Sequence, residues 1–207
     1  MNRTIFLYFI LGTLSLTSLS GKAQECIHSK LSQHFYFKTN IARNSDTSDF
    51  IHGAKIDLLI YNKHKELLQK LSFKSEFLFD DAYNNCSNVR SYVTGFNQKK
   101  DVLDFDFGDL IVADLNFDGK EDFAIKYDSG GNGGPSYGFY IQESKGSFKL
   151  DHFLTDSVRS FPEYINAKNK TLTTHINANG RTKNEKTYKF YAKIRRWHLI
   201  KWDDSEY

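Results

Sequence analysis

The chain has 207 residues, a formal net charge of +3, 18 Phe, 12 Tyr and two cysteines. This nearly balanced charge excludes the strong basic footprint of a protein that binds nucleic acid or anionic membranes. The length suits one domain with a sizeable core, and the high aromatic content favours strands over helices.

Residues 1–23 are predicted to be a signal peptide. Arg3 precedes an uncharged run of apolar and small residues, and small residues lead up to a cleavage point after Ala23. The alternative, a membrane anchor, would need about 20 consecutive apolar residues, and this run is shorter and contains several Ser and Thr. Cleavage would remove Arg3 and Lys22 and lower the net charge from +3 to +1. We therefore expect residues 24–207 to form one periplasmic, secreted or cell-surface domain without a transmembrane segment.

The two cysteines, Cys26 and Cys86, both lie beyond the predicted cleavage point. In an oxidising compartment, an even pair predicts one disulfide. The alternative is a lipidated Cys26, but Glu25 occupies a position where a lipidation signal needs a small residue. A disulfide is the interpretation we favour.

Short runs of β-forming residues between turn signals predict strands along most of the chain. Residues 62–73 are ambiguous, because Leu67, Leu68 and Leu71 have helical spacing while residues 62–65 suit a turn into a returning strand, and we favour the hairpin. The predicted strands cover residues 34–38, 55–61, 91–96, 102–107, 110–113, 123–127, 137–142, 147–150, 171–177, 186–192 and 197–201. This pattern predicts an all-β fold, either a small propeller-like structure or a barrel or sandwich of short antiparallel strands.

Residues 114–122 read D-x-N-x-D-G-x-x-D, a pattern typical of a calcium loop. Calcium prefers six to eight oxygen ligands, and alternate loop positions bring such oxygens to one point. Gly119 allows the sharp turn, and the side chain of Lys120 is expected to point away while its carbonyl faces the ion. The predicted ligands are Asp114, Asn116, Asp118, Lys120 and Asp122.

Two features separate this loop from an EF-hand. The twelfth position is Ile125 instead of a bidentate Glu, and residues 123–125 suit a strand instead of an exiting helix. The prediction is therefore a short calcium site between strands, closed by Asp122, with a structural role. The alternative is an ordinary turn without metal, since Asp, Asn and Gly also dominate turns.

A glycine-rich segment follows the strand after this loop. It lacks the Gly-Lys-Ser/Thr of a phosphate-binding loop, and it is either a hairpin connection or a partner-binding loop. The predicted partner-binding residues are Ser129, Gly130, Gly131, Asn132, Gly133, Gly134 and Tyr137.

Residues 114–122 resemble the calcium loop of FG-GAP/VCBS-type β-propeller repeats, although the loop occurs once here. Over residues 100–200 the chain is similar to calcium-binding periplasmic lysozyme inhibitors, the immunity proteins that accompany peptidoglycan hydrolases exported by type IV secretion. The shared features are the loop, the glycine-rich segment, the aromatic strand at 137–141 and a closing hairpin. The resemblance implies a small propeller-like β structure that inserts a Ser-Gly…Tyr element, Ser129-Gly130…Tyr137, into the cleft of a lysozyme-like hydrolase.

Two other classes of function compete with an inhibitor. A glycoside hydrolase would need a pair of carboxylates, for which Asp101, Asp104, Asp106 and Asp109 are candidates. The alternation at 103–107 instead predicts a strand with Phe inward and Asp in solvent, and the seven histidines have no metal-ligand spacing, so we do not expect an enzyme. A surface module that binds glycan or protein would use Trp197 and Trp202 as exposed contacts. The alternative is that both tryptophans pack in the core.

Overall fold

The structure is a computed structural model that describes residues 24–43, 53–97, 101–131, 133–143, 146–177 and 182–206. The predicted signal peptide, residues 1–23, lies outside the described residues. Among the residues described, no helix is long and apolar enough to cross a membrane.

The first sheet is an antiparallel meander in which each strand pairs with the next. Buried and less buried residues alternate in its second and third strands, as expected where one face packs on a core. Its last two strands form the hairpin favoured at residues 62–73: the Asn62 carboxamide oxygen accepts from the amides of His64 and Glu66 at 2.9 and 3.0 Å. The four strands are β1 Gln24–His28, β2 Phe35–Arg43, β3 Ala54–Asn62 and β4 Leu67–Ser75.

The central sheet has five strands in the order β5-β6-β7-β8-β9, and only the β5–β6 pair is parallel. Its strands are β5 Val89–Ser91, β6 Leu110–Ala113, β7 Asp122–Asp128, β8 Ser136–Gln142 and β9 Phe148–Leu150. Successive residues of a strand point to opposite faces of the sheet. A strand in a sheet that is covered on both faces is therefore apolar at every position, as β6 is.

The third sheet is a meander of β10 Tyr164–Asn166, β11 Thr171–Asn177, β12 Thr182–Tyr191 and β13 Arg196–Glu206. A π-helical turn at Phe153–Val158 connects the central sheet to it. Leu110 and Val112 of β6 pack in one core with the first sheet, while Ile111 and Ala113 pack in a second core with residues of the third. The all-β prediction is confirmed; each sheet is open at its edge strands, and the described residues form neither a closed barrel nor a propeller.

Two predicted strands are wrong. Of residues 91–96, only Ser91 lies in a strand, because its hydroxyl accepts from the amides of Val93 and Thr94 and turns the chain. Residues 102–107 contain a tight turn in which Asp104 and Phe105 have φ values of 49° and 59°.

The disulfide between Cys26 and Cys86 is confirmed. It joins β1 to the segment before β5, across a sequence separation of 60 residues. The sulfur of Cys26 is bonded to that of Cys86, so it is not free to carry a lipid, which was the alternative.

Candidate functional site

The acidic loop connects β6 to β7, at the edge where the two central strands leave the core. The Asp114 carboxylate accepts from the amides of Asp118 and Gly119 at 3.0 and 2.9 Å, so it closes the loop on itself. The Asn116 side-chain oxygen also accepts from the Asp118 amide, at 3.0 Å. Gly119 has a φ of 82°, the left-handed conformation that favours glycine.

Asp118 and Lys120 lie closer together than the sequence predicted. One oxygen of Asp118 accepts from the Lys120 amide at 2.9 Å, and the other lies 3.2 Å from the Lys120 ammonium. The expectation that the lysine side chain points away from the loop is therefore wrong. The amide contact turns the chain, and the flexible lysine side chain then reaches back to the nearest carboxylate.

Asp122 begins β7 and is completely buried. One of its oxygens accepts from the amides of Leu115 and Asn116 at 2.9 and 3.3 Å, and the other accepts from the Gln142 amide of β8 at 2.8 Å. Burial raises the pKa of Asp122 to about 7, against the lowering effect of these amides. Asp122 thus joins both ends of the loop to the central sheet and has no cationic side chain among these contacts.

The donor set has the chemistry that calcium requires. Carboxylate, carboxamide and backbone oxygens are all present, and a carboxylate oxygen that accepts one N–H keeps a lone pair for a cation. In the described part of the chain, no three side chains of His, Cys, Asp or Glu converge as a metal cluster, and backbone amides hold the loop in its present form.

Glu121 is a loop residue that the sequence did not single out. It is buried, and its carboxylate accepts from the hydroxyl of Ser32 and from the amides of Gln33 and His34, the latter two at 2.7 and 3.3 Å. These contacts attach the loop to the residues that lead into β2, nearly 90 positions away. No local pattern in the sequence indicates such a distant pairing.

The glycine-rich segment is anchored at its start. Ser129 is buried: its hydroxyl accepts from the Phe79 amide and its own amide donates to the Phe77 carbonyl, both at 2.9 Å. Gly130 adopts a φ of 63°, and a Cβ there would lie 2.0 Å from the Gly134 carbonyl. Gly131 is exposed, Gly133 is half-buried, and Asn132 lies outside the described residues.

Tyr137 does not lie on the surface that the sequence predicted. It is completely buried in β8, where its hydroxyl accepts from the Phe107 amide at 3.2 Å and donates to Asp106 at 3.4 Å. Burial raises the pKa of the phenol well above its ordinary value, so the hydroxyl stays a donor. The prediction that the Tyr137 hydroxyl contacts a partner directly does not fit this burial. The tyrosine lies in the strand itself, beyond the glycines, and its ring joins the second core.

An ion cluster of Asp106, Asp109 and Lys126 lies at the other end of the β6–β7 pair. The Lys126 ammonium is 2.9 Å from a carboxylate oxygen of each aspartate. Burial opposes the charge on Lys126, but Asp109 and Asp106 outweigh it, so the pKa of the lysine lies above its ordinary value. Asp109 is 2% exposed. Within the predicted strand at 103–107, Asp104 is exposed and Phe107 is buried, as the alternation predicted, but Asp106 is half-buried against Lys126 and the backbone forms a turn instead of a strand.

The two tryptophans differ in position. Trp197 is buried in the second core, whereas Trp202 on the edge strand β13 is 60% exposed. The Trp202 indole nitrogen donates to Asp204 at 2.8 Å, and the Lys186 ammonium lies 4.5 Å from its ring centre.

The three sheets make this chain an all-β protein. No protein-family model matches the sequence, and no curated protein matches it. Among solved structures, the fold is similar to that of a Xanthomonas protein described as related to the type IV secretion system. The TM-score is 0.53 at 17% identity, and the match covers 88% of this chain and 87% of the other. The similarity concerns the fold alone.

Proposed function

We propose that this chain is an exported calcium-binding protein that binds and inhibits a lysozyme-like peptidoglycan hydrolase. The observation that carries the proposal is the loop at 114–122: its oxygens are held in place by backbone amides at the edge of a rigid central sheet. The disulfide is typical of an oxidising compartment outside the cytoplasm. The type IV secretion context of the similar structure is consistent with an immunity role.

In the proposed site, side-chain oxygens of Asp114, Asn116, Asp118 and Asp122 and the carbonyl of Lys120 hold the ion. Calcium would supply positive charge to carboxylates that otherwise have only amide partners and one exposed lysine. Its proposed role is structural, because Asp122 and Glu121 attach the same loop to β8 and to the first sheet.

The proposed partner surface is the glycine-rich segment, in which Gly131 is exposed and Gly130 is half-buried. It directly follows β7, whose first residue is Asp122. A loop with little side-chain bulk approaches another backbone closely, so it suits a narrow substrate cleft. Inhibition of this kind blocks the cleft and requires no catalytic group from this chain.

Calorimetric titration of the metal-free protein with calcium tests the metal site. We expect binding and a rise in the melting temperature that a chelator reverses, and we expect both to be lost in Asp118→Ala. Asp57→Ala is the matched control, because Asp57 is also a carboxylate paired with a lysine, but on the first sheet. An unchanged melting temperature of the parent protein on addition of chelator would refute calcium binding.

A peptidoglycan clearing assay tests inhibition. The mature protein at stoichiometric amounts should abolish turnover by a lysozyme-like hydrolase, including one encoded beside its own gene. Clearing by the protein alone would favour the hydrolase alternative. Absence of binding to every such hydrolase would refute the inhibitor proposal.

A glycan-binding surface module is the second candidate, and exposed Trp202 is the observation that favours it. Its ring is oriented by Asp204 and Lys186, as an aromatic platform for a sugar would need. Quenching of tryptophan fluorescence by soluble peptidoglycan fragments, lost in Trp202→Ala, would support this candidate. Unchanged fluorescence would count against it.

A further inference from the structure

The third sheet ends at a long strand with an open edge. Strand β13 has 11 residues and, in the described part of the chain, pairs with β12 alone. The N–H and C=O groups along its other edge are therefore available to pair with a further strand. Sheet proteins commonly protect such an edge by keeping the strand short or by covering it. Neither applies to β13, because the strand is long and residues 196–205 are exposed except for Trp197.

A bulge divides β13 into two arms. Leu199 and Lys201 lie opposite consecutive residues of β12, so Ile200 is an extra residue between them. We call residues 196–199 the first arm and residues 201–206 the second arm. Because side chains alternate between the two faces along β12, the pairing with β12 shows which residues of the two arms share a face.

The bulge places matching side chains of the two arms on the same face. Leu199 and Trp202 lie opposite β12 residues that are two positions apart, so both project from one face of the sheet. Both are exposed apolar side chains, at 45% and 60%. Arg196, His198 and Asp203 lie opposite β12 residues of the other parity, so these three share the second face. All three are exposed, and the first arm is basic where the second arm is acidic.

The two arms are complementary when two copies of β13 run antiparallel. A two-fold axis at Lys201 brings the first arm of each copy beside the second arm of the other. On one face, Leu199 then lies opposite Trp202 of the second copy. On the other face, His198 lies opposite Asp203 of the second copy, and Arg196 is its diagonal neighbour, within reach of a long side chain. Each favourable pair occurs twice, as a two-fold interface requires.

Lys201 is the one residue that would meet its own copy at the axis. Its ammonium lies 2.6 Å from the Glu185 carboxylate of β12, so its charge is balanced within each chain. The pairing of apolar side chains next to the axis adds burial that a single chain cannot obtain for them. The edge strand therefore fits a second copy of itself in backbone, charge and apolar contact.

We propose that two copies of this chain associate through antiparallel pairing of their β13 strands. The pairing joins two four-stranded sheets into one continuous sheet. Addition of a strand to an open sheet edge is a common mode of recognition, in which main-chain hydrogen bonds give affinity and side chains give specificity. The inference depends neither on calcium nor on a hydrolase partner.

Sedimentation equilibrium of the mature protein, without calcium or hydrolase, tests this assembly. The parent should have the mass of two chains, and dilution gives its dissociation constant. Arg196→Asp and Asp203→Arg should each raise that constant roughly tenfold or more, because like charges then meet at both symmetry-related ends. Lys55→Asp is the matched control, since this exposed lysine lies on β3 of the first sheet, and it should leave the constant unchanged.

An equimolar mixture of the two charge variants separates lost pairing from misfolding. In a mixed dimer, the introduced carboxylate of one chain lies beside the introduced guanidinium of the other, and native Arg196 and Asp203 meet at the second end. The mixture should therefore associate about as tightly as the parent, although each variant alone does not.

Three results would overturn the inference. These are a parent that stays monomeric at every concentration reached, a dimer that both charge variants leave intact, and a mixture that fails to associate. None of them bears on calcium binding or on inhibition, so the proposed function stands or falls by its own experiments.

Discussion

The two ends of the β6–β7 pair bear acidic residues in contrasting environments. At one end, Asp106 and Asp109 share the ammonium of Lys126, which belongs to β7 itself. At the other end, Asp114 and Asp122 make their described contacts with backbone amides. Strand β6, which begins one residue after Asp109 and ends one residue before Asp114, separates the two groups.

The contrast shows two ways in which a sheet keeps carboxylates close to its core. In the first, a lysine of the same chain balances the negative charge of the carboxylates and fixes their positions, although burying the three charged groups costs desolvation free energy. Amides alone orient carboxylates but leave their charge unbalanced, which is the condition under which an external cation stabilises a fold. The ion cluster therefore suits a permanent support, and the acidic loop suits a metal site.

The largest expected effect comes from removing the internal cation. Lys126→Met should lower the free energy of unfolding by about 3–5 kcal/mol, because two carboxylates near the core lose the ammonium they share. Urea denaturation measures this change. Lys120→Met is the matched control at the other end of the strand pair, where loss of an exposed ion pair should cost less than about 1 kcal/mol. Equal losses in the two variants would contradict the distinction between the two ends.

An effect of intermediate size concerns pH. Because burial raises the pKa of Asp122 to about 7, its contribution to the stability of the metal-free protein is fully present below the ordinary value of 3.8 and is lost as the pH rises through 7. Calcium would offset this loss only where the carboxylate is ionised. The stabilisation by calcium should therefore be smaller at pH 5.5 than at pH 8 by roughly 2 kcal/mol.

Melting curves with calcium and with chelator at the two pH values measure that difference. Asp122→Asn should remove the pH dependence, since the amide does not titrate. A calcium effect of the same size at both pH values would show that Asp122 is not a ligand.

The smallest expected effect distinguishes the lysines of the two ends. Lys120→Ala should raise the affinity for calcium by up to about fivefold, because it removes an ammonium 3.2 Å from Asp118 while keeping the backbone carbonyl. Calorimetric titration of parent and variant measures the change. A lower affinity in the variant would mean that the lysine side chain supports the loop instead of competing with the ion.

Much of the fold was predictable because strand signals are local. Buried residues alternate along β2 and β3, and the turn at Asn62 forms through contacts within four residues. The loop at 114–122 was located for the same reason, since its Asp, Asn and Gly spacing lies within nine consecutive residues. The alternation of Asp and Phe at 103–107 gave a wrong strand prediction, because the turn at Asp104-Phe105 lacks the Asn-Gly or Asp-Gly pair that usually marks two left-handed residues.

The sequence by itself determined the all-β class, the pairing of Cys26 with Cys86 and the position of the acidic loop. These features depend on strand periodicity, on the count of cysteines and on short-range turn chemistry. Only the tertiary structure decided that Tyr137 is buried, that Glu121 contacts the segment before β2, and that Lys126 lies between Asp106 and Asp109. Each of these outcomes depends on residues brought together from 17 to 89 positions apart, and packing of separate sheet elements, not local pattern, sets such contacts.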